Sequence, residues 1–290
     1  MSKWIFQLST RNKTIRPLKS RNILQSIQIN RCNSTDMAGR LSGKVAVVTA
    51  STDGIGFAIV SRLAADGAKV VVSSRKQDNV NRAVSELKSK GFQNVLGVKC
   101  HVGDNDDRNN LFKQTVEKFG GLDIFVSNAA VNPAIGGVLD CTEEVWDKIF
   151  DINVKASFLL AKQAAPLIRE RGGGSIVFIS SIAGYTPFSL LGAYSVSKTA
   201  LFGLTKAVAQ DLATEKIRVN CVAPGVVRTK FARAMYETET AKQAVLATIP
   251  MGRLAESNEI AGVVSFLVSE DASFITGETI TAAGGSISRL

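Results

Sequence analysis

The chain has 290 residues and a mass of 30.9 kDa, with 45% hydrophobic, 21% charged and 7% aromatic residues, an ordinary globular composition sufficient for one large or two small domains. No run of about 18 apolar residues is present, and the extreme N-terminus offers only Trp4-Ile5-Phe6, which excludes a readable membrane span or secretory signal and points to a soluble intracellular protein. Four scattered cysteines (Cys32, Cys100, Cys141, Cys221) with no C-x-x-C pair, the single histidine His101 and the lack of a G-x-S-x-G elbow argue against a zinc site, a disulfide framework and histidine-based hydrolysis, so no metal is expected.

The net charge is +10, and six of those charges fall in residues 1–36, where seven Lys and Arg face Asp36 alone. Such an acid-poor, Ser/Thr/Asn-containing leader reads as a mitochondrial targeting segment or a disordered basic tail. Met37 could serve as a second start that bypasses it. Trp4 and Phe6 are not interleaved with the charges as a base-stacking platform requires, so nucleic acid is not an expected partner.

From Leu41 the pattern changes. Lys44–Thr49 is a short β-branched run of the kind buried on both faces of a parallel sheet. A turn bearing Gly54 and Gly56 follows, then a helical pattern over Phe57–Ala64, a stop at Gly67 and a second strand over Val70–Ser73. Further on, helical patterns lie near Asn79–Lys90, Asp104–Phe119, Thr142–Arg169, Ala193–Ala213 and Ser257–Leu267. They alternate with strands at Val95–Lys99, Asp123–Ser127, Ser175–Ser180, Arg218–Val222 and Glu278–Thr281. Seven strands alternating with six helices predict an α/β fold: a single-domain, doubly wound parallel seven-stranded sheet of Rossmann type over residues 41–290. Right-handed crossovers would gather the strand C-terminal ends along one ligand-binding edge.

The first strand-to-helix turn reads Thr49-Ala50-Ser51-Thr52-Asp53-Gly54-Ile55-Gly56. Glycines at this place let backbone approach a pyrophosphate and aim helix N-terminal amides at it. Thr49, Ser51, Gly54, Ile55 and Gly56 are therefore candidate cofactor contacts. About 20 residues further on, where an NAD enzyme offers an acidic side chain to the ribose, stand Ser74, Arg75 and Lys76. A carboxylate would repel a 2′-phosphate, whereas a guanidinium gives it charge-assisted hydrogen bonds, so the expected cofactor is NADP(H).

Tyr194 and Lys198 stand four apart on one helical face, thirteen residues after Ser181 at the end of the Ser175–Ser180 strand. A phenol with a pKa near 10 becomes useful at neutral pH if a neighbouring ammonium and a positive nicotinamide lower it; Tyr194 could then give a proton to a carbonyl oxygen as hydride reaches carbon. Asn153 is a polar residue in an otherwise apolar helical stretch, suited either to the site or to a helix-helix hydrogen bond.

With these residues in place the segment 41–290 resembles a short-chain dehydrogenase/reductase. The resemblance implies that Tyr194 is the acid/base, that Lys198 binds the ribose and tunes Tyr194, that Ser181 orients the carbonyl and that Asn153 helps hold a proton-relay water. It also implies cofactor contacts at Asn128 and Ala129, in the turn beside the central sheet, and at Pro224, Gly225 and Thr229 against the nicotinamide. Within the family the chain is most similar to the peroxisomal NADP-dependent carbonyl reductase and retinol dehydrogenase subgroup, on the segments 50–58, 73–76, 100–103, 126–133 and 269–273 and the terminal Ser288-Arg289-Leu290. It departs from the general pattern at Ala50, where glycine is usual, in the Ser127-Asn128-Ala129-Ala130 turn, and at His101, where an aspartate often meets the adenine.

The expected activity is NADPH-dependent reduction of ketones and aldehydes, reversibly. Rival readings are a silent NADP-binding or scaffold protein, which should have lost part of the Ser/Tyr/Lys set, and an enoyl reductase, in which Tyr and Lys typically stand further apart. The segments 182–193 and 226–251 carry Tyr185, Pro187, Phe188, Leu190, Leu191, Phe231, Met235 and Tyr236, an apolar lining that suits aromatic ketones, α-dicarbonyls or retinal. Family resemblance predicts a homotetramer. The Ser288-Arg289-Leu290 tail is close to an address read by the peroxisomal import receptor, and the leader gives mitochondria as the alternative.

Overall fold

The computed structural model describes residues 39–133 and 135–286. The leader 1–36, Met37 and the Ser288-Arg289-Leu290 tail lie outside the described residues.

In chain order β1 (Val45–Val48), α1 (Gly54–Ala65), β2 (Lys69–Ser74), α2 (Gln77–Ser89), β3 (Val95–Lys99), α3 (Asn105–Phe119) and β4 (Ile124–Ser127) form the first half. The second half is α4 (Glu143–Phe150), α5 (Ala156–Glu170), β5 (Gly174–Ile179), α6 (Gly192–Leu212), β6 (Ile217–Pro224), α7 (Glu239–Leu246), α8 (Ser257–Val268) and β7 (Thr279–Ala282). The seven strands make one sheet in the order β3-β2-β1-β4-β5-β6-β7, parallel throughout. This is a Rossmann-type α/β domain, as the alternating pattern predicts.

The apolar run of β1 is explained by its two neighbours. Ala46 and Val48 pack with residues of α1 and α8 on one face, while Val47 packs with Phe125, Phe178 and the α3 and α5 side chains on the other. A strand covered on both faces has no polar side to show. Chain direction reverses between β1, whose crossover leads outward to β2, and β4, so the C-terminal ends of these two strands open a crevice at the switch point.

Two features depart from the sequence reading. The pattern over Thr142–Arg169 is not one helix, because a π turn over Asp151–Lys155 separates α4 from α5. Helix α7 is absent from the sequence reading; none of its residues is buried, and it packs on Val226, Ile249 and Leu254 through half-buried Val245 and Leu246 alone, too narrow a face to give a helical period.

Candidate active site

Thr49 and Ser51 are fully buried where β1 ends. The Thr49 hydroxyl accepts hydrogen bonds from the backbone N–H of Asn128 (2.9 Å) and of Ala129 (3.2 Å), and the Asn128 amide nitrogen donates back to the Thr49 and Ala50 carbonyls at 3.0 and 3.1 Å. The Ser51 hydroxyl donates to Val48 O and accepts from Ser73 N, tying β1 to β2. Both hydroxyls are thus engaged in bracing the loop, and the surface left to a ligand is backbone. Ala50 adopts a left-handed φ of 49°, a conformation that costs a non-glycine residue about 1–2 kcal/mol.

Gly54, Ile55 and Gly56 form the first turn of α1, capped by the Asp53 carboxylate, which accepts from Gly54 N at 2.8 Å. A Cβ on Gly56 would sit 2.4 Å from Ala50 O and 2.5 Å from Asn128 Nδ2. Only glycine fits, which leaves a bare-backbone cradle at the N-terminus of a twelve-residue helix, the arrangement that receives a pyrophosphate. The same crevice is bordered by Asn128, Tyr194, Lys198 and Thr229, and extends over about 220 Å³.

Ser74, half-buried, closes β2, with Arg75 and Lys76 exposed beyond it at the start of α2. The Ser51–Ser73 backbone bond holds this edge against the glycine turn. Neither Arg75 nor Lys76 makes an ion pair among the described residues, and Ser74, Arg75 and Lys76 are not among the residues that border the crevice itself.

At the ends of β5 and α6 the three residues of the predicted set come together. Lys198 Nζ donates to Ile179 O at 2.9 Å and lies 5.5 Å from the Tyr194 ring centroid, and the Ser180 hydroxyl donates to Lys198 O, locking α6 to the strand end. Ser181 caps the short turn that follows β5, its oxygen accepting from Ala183 N, and it borders the same crevice as Tyr194. Burial pushes the Tyr194 phenol up to about 12, against the lowering effect of Ser181. Lys198 is brought down to about 8, also by burial. In the protein alone the cost of dehydrating the phenolate therefore outweighs the lowering by Ser181.

Asn153 is fully buried in the π turn. Its Nδ2 donates to Val131 O and to the Ser197 hydroxyl, while its Oδ1 accepts from Val131 N. The side chain thus ties three segments beside the site, and it does not border either crevice.

A second crevice of about 320 Å³ adjoins the first and is lined chiefly by apolar groups, including Phe188, Leu191, Phe231, Met235 and Val226, with Ser181, Pro224 and Gly225 also on its wall. Of the other residues expected to line it, Tyr185 instead stacks on Phe202, the Tyr236 hydroxyl donates to Thr229 O, and Leu190 is exposed. Asn132 and Ile135 border the crevice without having been expected there; they follow β4, a segment whose sequence marks only a turn. Ile55, Ser180, Tyr194, Thr229 and Phe231 border both crevices. His101 is half-buried at the end of β3, its Nδ1 accepting from Gly103 N. Among the described residues no group of three His, Cys, Asp or Glu is placed to hold a metal, and no helix is long and apolar enough to cross a membrane.

A glycine-floored helix N-terminus at a sheet switch point, next to a Ser/Tyr/Lys cluster, defines a nicotinamide-dependent oxidoreductase acting on CH–OH and C=O groups. The chain belongs to the short-chain dehydrogenase/reductase family. A family model described as enoyl-(acyl carrier protein) reductase matches residues 49–286. Dehydrogenase/reductase SDR family member 4 of Bos taurus is 57% identical over 90% of this chain and 94% of its own length, and that of Homo sapiens 55% over 86% and 90%. Tropinone reductase-like 3 of Erythroxylum coca is 51% identical over 89% and 98%. A crystal structure assigned to the short-chain alcohol dehydrogenases, from Sinorhizobium meliloti, superposes with a TM-score of 0.80 at 34% identity, over 85% of this chain and 98% of that one.

Proposed function

We propose that the chain is an NADPH-dependent reductase of ketones and aldehydes that takes small apolar carbonyl compounds, such as aromatic ketones, α-dicarbonyls or retinal, and also runs the alcohol oxidation. The observation that carries this reading is that Tyr194, packed against Lys198 and bordering the same apolar crevice as Ser181, stands at the seam between the glycine-floored crevice and the apolar one. Bound nicotinamide supplies the hydride. Ser181 donates a hydrogen bond to the carbonyl oxygen and Tyr194 gives that oxygen its proton, the phenol being protonated at neutral pH. Buried Lys198 supports the phenol and offers its ammonium to the cofactor ribose. The apolar walls exclude water and select substrates without fixed charge. The Tyr194 and Lys198 spacing of four and the apolar crevice favour C=O over enoyl reduction. A panel of aromatic ketones, α-dicarbonyls, retinal and an enoyl thioester, followed by loss of NADPH absorbance, tests the reading; turnover of the enoyl thioester alone overturns it.

The preference for NADP(H) rests on Ser74, Arg75 and Lys76. Losing a charge-assisted contact to a phosphate is worth about 1.5–3 kcal/mol, roughly ten- to a hundredfold in affinity. Arg75→Ala is expected to weaken NADPH by that factor and leave NADH nearly unchanged in equilibrium titrations; equal effects on both contradict the assignment.

We further propose a homotetramer, supported by family membership and by exposed Phe158 on α5 and Val196 on α6. For location we propose the peroxisome, through recognition of Ser288-Arg289-Leu290 by the import receptor, with mitochondrial targeting by residues 1–36 as the rival. A tag inserted after residue 36, leaving the C-terminus free, is expected to report peroxisomes for both the intact chain and one started at Met37. A mitochondrial intact chain together with a cytosolic shorter form overturns the proposal.

A further inference from the structure

The segment that follows β6 is held partly by side-chain contacts. Arg228 pairs with Glu256, the Tyr236 hydroxyl donates to Thr229 O, and Lys230 Nζ lies 2.7 Å from Asp53 Oδ2. The third contact differs from the others in its position. Asp53 and Lys230 both border the glycine-floored crevice, and Asp53 is the cap of α1. A full negative charge therefore occupies the helix end that, in the reading proposed above, must receive a pyrophosphate. Asp53 Oδ1 already accepts the Gly54 N–H, and like charges at this range repel. Lys230 is the first cause of the low pKa of Asp53, with Arg82 contributing only weakly through space. Arg228, two residues earlier, is occupied by Glu256.

We propose that Lys230 is a further cofactor-binding residue, whose part is to neutralise the Asp53 carboxylate so that a dinucleotide pyrophosphate can lie against the N-terminus of α1. The inference rests on the reading of this crevice as a dinucleotide site. It differs from the part assigned to Arg75, because a pyrophosphate is common to both nicotinamide dinucleotides, so Lys230 serves NADPH and NADH equally. Both side chains of the pair are more than half exposed, at 79% and 52%, so the effect is modest and screened by salt.

Charge arithmetic separates this from a merely mechanical tether. Lys230→Ala leaves Asp53 unpaired and is expected to weaken NADPH and NADH alike, by roughly threefold to fivefold at low ionic strength. Asp53→Asn keeps an effective helix cap and leaves Lys230 free, so it should tighten both by a similar factor. The double variant restores neutrality and should return close to the unsubstituted chain, and all differences should shrink at about 0.5 M salt. The measurement is equilibrium titration by NADPH and NADH fluorescence on the four forms, with thermal unfolding to verify folding.

If Asp53→Asn weakens binding as Lys230→Ala does, the contact is a tether and the proposal is wrong. If Lys230→Ala binds both dinucleotides as tightly as the unsubstituted chain, the proposal is also wrong while the cofactor reading stands. If the unsubstituted chain binds neither, the cofactor reading falls and the inference falls with it.

Discussion

Replacing Tyr194 with phenylalanine is expected to lower carbonyl reduction by about a hundredfold to ten-thousandfold, the range over which a positioned general acid contributes. NADPH affinity should stay within a few-fold, because the ring is kept and only the hydroxyl goes. Among the residues that border both crevices, Tyr194 is the one with an acid stronger than an aliphatic alcohol. Its proton is secure at neutral pH, since burial lifts the phenol to about 12. Single-turnover reduction with saturating NADPH checks the effect on the chemical step itself. A folded Tyr194→Phe protein retaining more than about a tenth of the rate would remove Tyr194 from the proposed role.

Gly56→Ala is expected to be damaging in a different way. The added methyl would meet the Ala50 carbonyl at 2.4 Å and the Asn128 amide at 2.5 Å, and neither is the loose end of a flexible side chain. Asn128 is itself clamped by Thr49, so relief requires moving the end of β1 or the start of α1. Overpacking of this kind costs about 1–3 kcal/mol, or roughly 2–9 °C in Tm for a domain of this size. The displaced cradle should also stop accepting a pyrophosphate. Unfolding followed with and without NADPH separates the two effects: the unsubstituted chain should gain Tm on adding NADPH, and the variant should not. A variant that NADPH stabilises normally would show that the close approach at Gly56 is unimportant for binding.

Much of this architecture was legible in the sequence, and most of the exceptions share a cause. The strand from Val45 to Val48 and the helix pattern after Gly56 follow from local burial alone, and a period of two, or its absence, reports that directly. The Ser181, Tyr194 and Lys198 cluster was legible because strand ends and helix starts in a parallel sheet share one edge. Helix α7 aside, what could not be read depends on partners remote in sequence. The π turn holds no glycine or proline, and Asn153 bonds in it to Val131 and Ser197. Thr49 and Ser51 carry hydroxyls suited to a ligand, yet Asn128 and Ser73 take them. Lys230 has its partner 177 residues earlier, and no local pattern announces such a pair.

The π turn has a further consequence for how the long segment from Glu143 to Glu170 is phased. Each helical residue advances about 100° around the axis, and the single extra residue accommodated over Asp151–Lys155 resets the angle between α4 and α5. Upstream, Ile149 faces inward while Trp146 and Phe150 stack on each other; downstream, Leu160, Ala161, Ala164, Ala165 and Ile168 are the row that meets the sheet. Removing one residue between 151 and 155 would let a continuous α-helix form, and would swing that entire row about a quarter of a turn away from β4 and β5. Loops elsewhere in the chain can absorb insertions and deletions without moving a helix face. In these five positions, length is itself a structural parameter.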